Sequence, residues 1–250
     1  MVSNTSRIGS YYKVFYVDEQ GKLQDVKAHY SDWDNCFGFE IGHFSNYVIA
    51  YVENAYADCP KDDTCPMAAF GDLNVNAWYH DGIHYCLDNG LMNGVSDAKF
   101  APTGTVTRGM IVTMLWRLDG QRYPDYAMRF TDVPSGQWYT TAIRWAAAMK
   151  IVSGYDAEHF GPNDPVTREQ LATILYNYAK SKDQGFTGSW MFQLDFTDAS
   201  SISDWANEAM HWCAMKGILN GKGANNLDPQ GALTRAEAAA MIQRYCQLDK

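Results

Sequence analysis

The most regular hydrophobic pattern in the chain is helical and occurs three times after residue 70. In the second copy, apolar residues fall at i, i+4, i+7, i+8 and i+11, which is one face of an α-helix. These residues are Trp138, Ala142, Trp145, Ala146 and Met149. The other two copies begin the same pattern at Trp78 and Trp205. Most of these positions are therefore predicted to be core.

A turn and a second helix follow the first helix in every copy. Each turn contains a glycine 16 positions after the tryptophan, where we expect a positive φ angle, at Gly94, Gly154 and Gly221. The second helix is predicted to begin at a threonine N-cap, at Thr107, Thr167 and Thr234. A capping box is completed by Gln170 and Glu237, whereas Met110 cannot complete one in the first copy.

The spacing within each copy is constant. Thirty positions separate the tryptophan from the arginine that follows the threonine, in Trp78–Arg108, Trp138–Arg168 and Trp205–Arg235. Each copy opens with an aromatic residue, a spacer and an aspartate, and the aspartates are Asp72, Asp132 and Asp198. Constant spacing within the copies and variable connectors between them indicate packed repeats, with boundaries at 70–120, 130–180 and 196–250.

Residues 1–58 have a different pattern. Aromatic and β-branched runs at 11–17, 37–40 and 47–52, with an extended run from Leu23, predict short strands. So few strands are marginally stable alone, so we expect a truncated β-rich module that continues upstream. Residues 59–69 are predicted to be a linker, because prolines and charges lie close together there. The predicted fold is mainly α: three helix-loop-helix repeats at 70–250, preceded by a small N-terminal β module.

Composition narrows the possible functions. A hydrophobic content of 46% and an aromatic content of 14% indicate a folded globular protein. The net charge of −9 argues against a broad nucleic-acid interface, although a few arginines could still bind a small anion. No apolar run approaches the roughly 20 residues that a membrane span needs. The first ten residues lack an apolar signal core, so we expect any export signal to lie upstream.

No catalytic or cofactor-binding motif is evident, so we expect neither an enzyme nor a cofactor site. Among the six cysteines, a disulfide involving Cys59 and Cys65, or one joining Cys65 to Cys86, is favoured over a metal site, and the connectivity stays open. His80 and His84 are four residues apart, but no third ligand is evident. Different residues occupy the matching positions of the other repeats, so we predict variable surface positions and no metal.

These features together resemble the S-layer homology family. That family has triplets of roughly 55-residue units, each with a Phe-x-Asp opening, a Trp-led first helix and a Thr-Arg-Ala-Glu start to the second helix. The resemblance extends from Phe70 to about Gln247. It implies a pseudo-threefold helical domain that anchors an exported bacterial surface protein noncovalently to the cell wall. The implied partner is a secondary cell-wall polysaccharide that carries ketal-linked pyruvate.

The arginine at the helix start is the main candidate for the chemistry. A helix dipole favours an acidic residue there, so an arginine repeated three times is expected to act on something else, such as a ligand carboxylate. The alternative is an ion pair with the Phe-x-Asp aspartate of a neighbouring unit. The tryptophans could stack on sugar rings or anchor the first helix. The aspartates could cap a turn or contact sugar hydroxyls.

The predicted ligand-binding residues are Arg108, Arg168, Arg235, Trp78, Trp138, Trp205, Asp72, Asp132, Asp198 and Glu237. Only the third repeat has the full Thr-Arg-Ala-Glu sequence, so its site is expected to be the most complete. Two alternatives remain open. The chain could be a surface-displayed interaction protein whose β module binds a partner, or the non-catalytic C-terminal part of a larger secreted enzyme.

Overall fold

The computed structural model describes residues 12–18, 20–26, 29–31, 36–38, 46–51, 59–186 and 192–248. Within these residues the protein is mainly helical, as predicted, with two α-helices in each repeat. The helices are α1 (His80–Asp88), α2 (Arg108–Leu118), α3 (Thr140–Ala148), α4 (Arg168–Lys180), α5 (Asn207–Met215) and α6 (Arg235–Cys246). Among the described residues, no helix has the length and apolar character needed to cross a bilayer.

The second helix of each repeat begins where the sequence predicts. Thr107, Thr167 and Thr234 have extended backbone angles, and each side chain accepts a hydrogen bond from the amide three residues later. The side chains of Gln170 and Glu237 accept a hydrogen bond from the backbone amide of the capping threonine, which completes two capping boxes. The first repeat has only the bond to the threonine side chain, because the Met110 side chain accepts no bond from the Thr107 amide.

The first helix of each repeat packs on a helix from the preceding repeat. Helix α3 lies against α2, α5 lies against α4, and α1 lies against α6, which joins the two ends of the repeat array. A single buried apolar core runs through all three repeats. Because every repeat buries its first helix on its neighbour, the three units form a closed pseudo-threefold ring.

Backbone hydrogen bonds close the same ring at its centre. Val106 N–H donates to the Leu233 carbonyl (3.1 Å), Leu233 N–H to Val166 (3.0 Å) and Val166 N–H to Val106 (3.1 Å). Each of these buried residues stands two positions before the helix-start arginine of its repeat. One donor and one acceptor from every repeat are therefore satisfied by the other two repeats.

The N-terminal residues form two small antiparallel sheets. The first has the strand order β2-β1-β5, with β1 at Tyr12–Val17, β2 at Leu23–Asp25 and β5 at Tyr47–Tyr51. The second pairs β3 (His29–Ser31) with β4 (Cys36–Gly38). The β-rich prediction is confirmed, although the sequence did not predict β3. Residues 39–45 and 52–58, partly assigned to strands from the sequence, lie outside the described residues.

The expectation of positive φ at the turn glycines is wrong. Gly94, Gly154 and Gly221 have no positive φ, but each lies against the aromatic ring that opens its repeat. An added Cβ would lie 2.3 Å from the Phe70 ring at Gly94 and 2.6 Å from the Phe130 ring at Gly154. Close approach, not backbone conformation, requires these glycines. Left-handed residues instead occur four positions before these glycines, at Gly90, Lys150 and Gly217, and seven positions after them, at Ala101, Gly161 and Asp228.

Gly82 offers a direct test of ring closure. It lies in α1, where a Cβ would come within 2.7 Å of the Ala240 backbone on α6. We expect Gly82→Ala to destabilise the fold by about 1–3 kcal/mol, because backbone atoms cannot move aside as a flexible side chain can. The measurement is the urea unfolding midpoint.

Gly71→Ala is the matched control. Its Cβ would meet no atom closer than 4.0 Å, so we expect stability to be unchanged or slightly raised. Equal destabilisation by both substitutions would contradict the close packing of α1 on α6.

Candidate functional site

The three predicted tryptophans lie on the surface. Trp78, Trp138 and Trp205 are 66%, 55% and 57% exposed. They were expected to continue the apolar face of the first helix, but α1, α3 and α5 begin two residues after them. The tryptophans therefore precede the regular helix, and their rings do not point into the core with the apolar residues that follow. Ala142, Trp145 and Ala146, which lie inside α3, are buried as predicted.

The three helix-start arginines are buried, with 4–6% exposure, and reach across to the next repeat. Each Nε donates to a loop carbonyl: Arg108 to Phe160 (2.9 Å), Arg168 to Leu227 (2.6 Å) and Arg235 to Phe100 (2.9 Å). Each Nη2 donates to a turn carbonyl: Arg108 to Ser153 (3.1 Å), Arg168 to Asn220 (2.6 Å) and Arg235 to Asn93 (2.6 Å). These bonds fix the turn of one repeat to the helix of another.

Burial lowers the pKa of all three arginines, but a guanidinium remains charged at neutral pH. The ion pair with a Phe-x-Asp aspartate, considered as an alternative, is not formed among the described residues, where carbonyl oxygens are the partners. The two bonds use only two of the five N–H donors of each guanidinium. The remaining donors can still serve a ligand.

The helix-start amides do not form an anion site. The first two amides of each second helix donate to carbonyls of the next repeat, including Arg168 N to Gly231 O (3.1 Å) and Glu169 N to Pro229 O (2.9 Å). The third amide donates to the capping threonine. Repeat closure therefore satisfies these amides, so the helix start offers no unpaired N–H group to an anion.

The Phe-x-Asp aspartates hold the loops that the arginines contact. Asp72 accepts bonds from the amides of Phe100 (2.8 Å) and Ala101 (2.7 Å). Asp132 and Asp198 do the same for the loops at residues 160–161 and 227–228. The Phe100 amide lowers the pKa of Asp72 below its ordinary value. This geometry supports the turn-holding role for the aspartates over sugar contact.

Two grooves contain these arginines. The first, named the Arg168 groove, has a volume of 310 Å³ and is lined by Trp78, Arg168, Asn220, Gly221, Lys222, Glu237, Ala240, Met241 and Arg244. It combines residues from all three repeats. Three cationic side chains face it with one carboxylate, so its lining carries net positive charge in a protein with net charge −9.

The second, named the Arg108 groove, has the same construction but a different character. It has a volume of 520 Å³ and is lined by Arg108, Ile151, Val152, Ser153, Gly154, Tyr155, Gln170, Thr173, Ile174, Asn177 and Trp205. Arg108 is the one charged side chain in this lining, and its guanidinium lies 4.7 Å from the Tyr155 ring centre. The two grooves therefore differ most in charge.

The structure divides the full motif of the third repeat between two locations. Arg235 reaches the Asn93 turn of the first repeat, whereas Glu237 lines the Arg168 groove. One intact motif therefore does not make one complete site, contrary to the expectation. The two side chains leave α6 on nearly opposite sides, because Arg235 is its first residue and Glu237 its third, and each residue adds about 100° around the helix axis.

Three polar residues of the Arg168 groove were not predicted from the sequence. Lys222 follows the turn glycine, and Arg244 stands nine positions after the helix-start arginine. Burial opposes ionisation of Glu237, but the Thr234 amide and the Lys222 ammonium, which lies 3.3 Å away, together lower its pKa. The carbonyl of Asn220 binds Arg168. Aligning the repeats and comparing charge after each glycine would have indicated Lys222.

The prediction that His80 and His84 are surface positions is also wrong. Both are buried, and they lie beside Cys59 and Cys65. The five cysteines whose side chains are described, including Cys86, are free thiols, so neither of the expected disulfides is formed among them.

Comparison with known proteins agrees with the threefold geometry. The profile of the S-layer homology domain matches residues 69–109, 129–172 and 195–239, which is more than half of the chain. The chain belongs to the S-layer homology domain family. The matched segments run from the opening aromatic residue of each repeat to the first turns of its second helix.

Relatives with S-layer homology repeats include enzymes and surface proteins. The chain is 35% identical to an exoglucanase, XynX, of Acetivibrio thermocellus over 99% of its length, which is 22% of that protein. It is 36% identical to an amylopullulanase of Thermoanaerobacterium thermosulfurigenes over 85% of its length, or 10% of that protein. A surface-layer 125 kDa protein of Lysinibacillus sphaericus is 27% identical over 78% of the chain and 16% of its own length. The chain thus spans less than a quarter of these relatives.

The interrepeat role of the arginines in this S-layer homology domain predicts a stability effect. We expect Arg235→Ala to destabilise the fold by about 2–4 kcal/mol, because two loop carbonyls would lose their buried donor. Arg129→Ala is the control, since Arg129 is exposed and only stacks on the Phe130 ring at 4.7 Å; we expect about 1 kcal/mol or less. The free energies of unfolding of both variants are compared by chemical denaturation. Equal losses of stability would contradict the role of Arg235 in holding two repeats together.

The Phe-x-Asp aspartates should make the stability of the domain sensitive to acid. The pKa of Asp72 is lowered in the folded domain, so its carboxylate contributes stability above the unfolded pKa of about 3.9, and this stability is lost as pH falls through the folded value. We expect Asp72→Asn to flatten the dependence of Tm on pH below about pH 4. Asp125→Asn, at an exposed connector position, should leave the profile unchanged. Parallel profiles for Asp72→Asn and the unmodified chain would contradict the assignment.

Proposed function

We propose that this S-layer homology domain anchors an exported bacterial surface protein noncovalently to the cell wall. In this proposal the partner is an acidic, pyruvylated secondary cell-wall polysaccharide, bound in the grooves between repeats. The observation that carries the proposal is the Arg168 groove, where an exposed tryptophan stands beside three cations from two repeats. Relatives named as surface-layer proteins support a location at the cell surface.

The Arg168 groove has the groups that a sugar ketal carboxylate needs. The remaining guanidinium donors of Arg168 can pair with the carboxylate, since planar guanidinium groups bind carboxylates bidentately. Lys222 and Arg244 line the same groove and add positive charge. Trp78 offers an exposed ring on which the apolar face of a sugar can stack.

Glu237 has two tasks in this mechanism. It caps α6 through the Thr234 amide (2.8 Å), and it holds the Lys222 ammonium at 3.3 Å. Its carboxylate also keeps the groove from having uniformly positive charge and can accept a bond from a sugar hydroxyl. The positive groups are therefore held before the ligand arrives, which reduces the ordering cost of binding.

The other arginine sites are proposed to be weaker for an anionic sugar. The Arg108 groove has a single charged residue and more apolar lining, with Tyr155 where Lys222 stands in the third repeat. Arg235, Asn93 and Trp138 occupy the corresponding positions of the third junction. We therefore rank the Arg168 groove first, and assign Asp72, Asp132 and Asp198 an indirect role through the loops that they hold.

The proposed roles of the three segments follow the predicted domain boundaries. Residues 70–250 act as the anchor, 59–69 as the linker and 1–58 as a β-rich module that belongs to the exported part. No catalytic role is assigned to the repeats. The enzyme names of two relatives describe proteins that are several times longer than this chain.

Sedimentation with purified cell wall tests the proposal. We expect the chain to bind untreated wall and to lose most binding when mild acid removes the pyruvate ketals, because the ligand carboxylate is then gone. Deleting residues 1–58 should leave binding unchanged. Equal binding to treated and untreated wall would rule out the carboxylate–arginine mechanism.

Substitution of Trp78 tests the groove itself. Because Trp78 is exposed, we expect Trp78→Ala to keep the unfolding midpoint and to weaken glycan binding about tenfold, equivalent to ~1.4 kcal/mol of stacking. Tyr123→Ala is the control, an 81% exposed aromatic outside both groove linings, and should bind normally. Unchanged affinity in Trp78→Ala would place the main site elsewhere.

A further inference from the structure

Four metal-ligating side chains meet where the segment before the first repeat contacts α1. Cys59 and Cys65 flank a turn just before the 3-10 helix Pro66–Ala69, and His80 and His84 lie one turn apart on α1. One ligand atom from each residue lies within 4.8 Å of the other three. Cys65 and both histidines are buried, and Cys59 is half-buried. We propose that these four residues bind a structural zinc ion.

The distances fit a tetrahedral ion. The Cys65 sulfur lies 3.7 Å from His80 Nε2 and 3.9 Å from His84 Nδ1. Zinc bound at about 2.3 Å to sulfur and 2.0–2.1 Å to nitrogen has sulfur–nitrogen edges of about 3.6 Å, so these two edges need only a small contraction. A thiol has a single proton and can donate to only one imidazole, whereas a metal ion bonds to both imidazoles and the sulfur together.

The histidines are oriented as metal ligands. His80 Nδ1 lies 2.8 Å from Asp81 Oδ1, and His84 Nε2 lies 3.3 Å from Asp88 Oδ2. In each case the other ring nitrogen faces the Cys65 sulfur. A carboxylate behind a histidine fixes the tautomer and raises the basicity of the coordinating nitrogen, which is the usual arrangement around protein-bound zinc.

The charge balance also suits a buried site. Two thiolates and two neutral imidazoles around Zn²⁺ give a complex with no net charge, which costs little to bury. Each thiol releases its proton to solvent as its sulfur–zinc bond forms, and no oxidation or reduction occurs. Sulfur and imidazole ligands favour zinc over magnesium or calcium, which prefer oxygen. Four protein ligands leave no open position, so the site is structural.

The cluster is specific to the first repeat. The positions that match His80 and His84 are Thr140 and Arg144 in the second repeat, and Asn207 and His211 in the third. The site therefore does not follow from the repeat pattern. Zinc here would fix the segment at residues 59–69 to α1, the helix that closes the ring against α6. It would stabilise the junction between the N-terminal module and the anchor.

Metal analysis of the full chain tests the proposal without any substitution. We expect native mass spectrometry of chain purified with zinc and a thiol reductant to show one zinc per molecule. Cobalt substitution should give the intense visible bands of a tetrahedral ion with a near-ultraviolet thiolate charge-transfer band. Failure of the reduced chain to take up zinc or cobalt, or octahedral cobalt without thiolate bands, would overturn the proposal.

Variants separate the cluster from other cysteines and histidines. We expect Cys59→Ser and His84→Asn to lose tight zinc binding, whereas Cys213→Ser and His211→Asn keep one zinc. Chelation should lower the Tm of the unmodified chain by about 5 °C or more and leave that of Cys59→Ser unchanged. Zinc retention by both cluster variants would overturn the assignment. If these variants fail to fold, the cobalt spectrum of the unmodified chain becomes the deciding test.

Discussion

The closed ring of three backbone hydrogen bonds between Val106, Leu233 and Val166 is the constraint on which the rest of the structure depends. A linear array of helix pairs would leave one first helix and one second helix uncovered at its ends. Closure instead packs α1 on α6 and satisfies the helix-start amides with carbonyls of the next repeat. Each turn, loop and arginine is then positioned by two repeats, so any groove at a junction is a property of the whole ring.

This closure assigns the arginines a structural task before any ligand is present. Two donors of each guanidinium bind loop carbonyls, and burial makes these bonds costly to lose. Any selectivity among grooves must then come from residues around the arginine. The second and third repeats differ at such positions. Tyr155 and Asn177 line the Arg108 groove, whereas Lys222 and Arg244 occupy the matching positions in the Arg168 groove. Near-identical backbone frames can therefore present different charges to the same polymer.

The sequence predicted the features that depend on local periodicity and spacing. The repeat register was predicted correctly because the same spacing occurs three times in the sequence. The threonine caps and the two capping boxes were predicted correctly because each depends on residues three positions apart. Features that depend on contacts between residues far apart in the sequence were not predictable. Gly94 is required by the Phe70 ring, Glu237 and Arg235 face different junctions, and Cys59 meets His84 only after the chain folds back.

The central proposal, that the junction arginines bind a ligand carboxylate while holding the ring together, can be tested by NMR of arginine side chains. The measurement follows the Nε–Hε signals during titration with a pyruvylated sugar and with the same sugar lacking pyruvate. We expect Arg168 to shift most, with the pyruvylated sugar only, and exposed Arg129 to remain unchanged. Equal shifts with both sugars, or no shift at Arg168, would contradict the proposal.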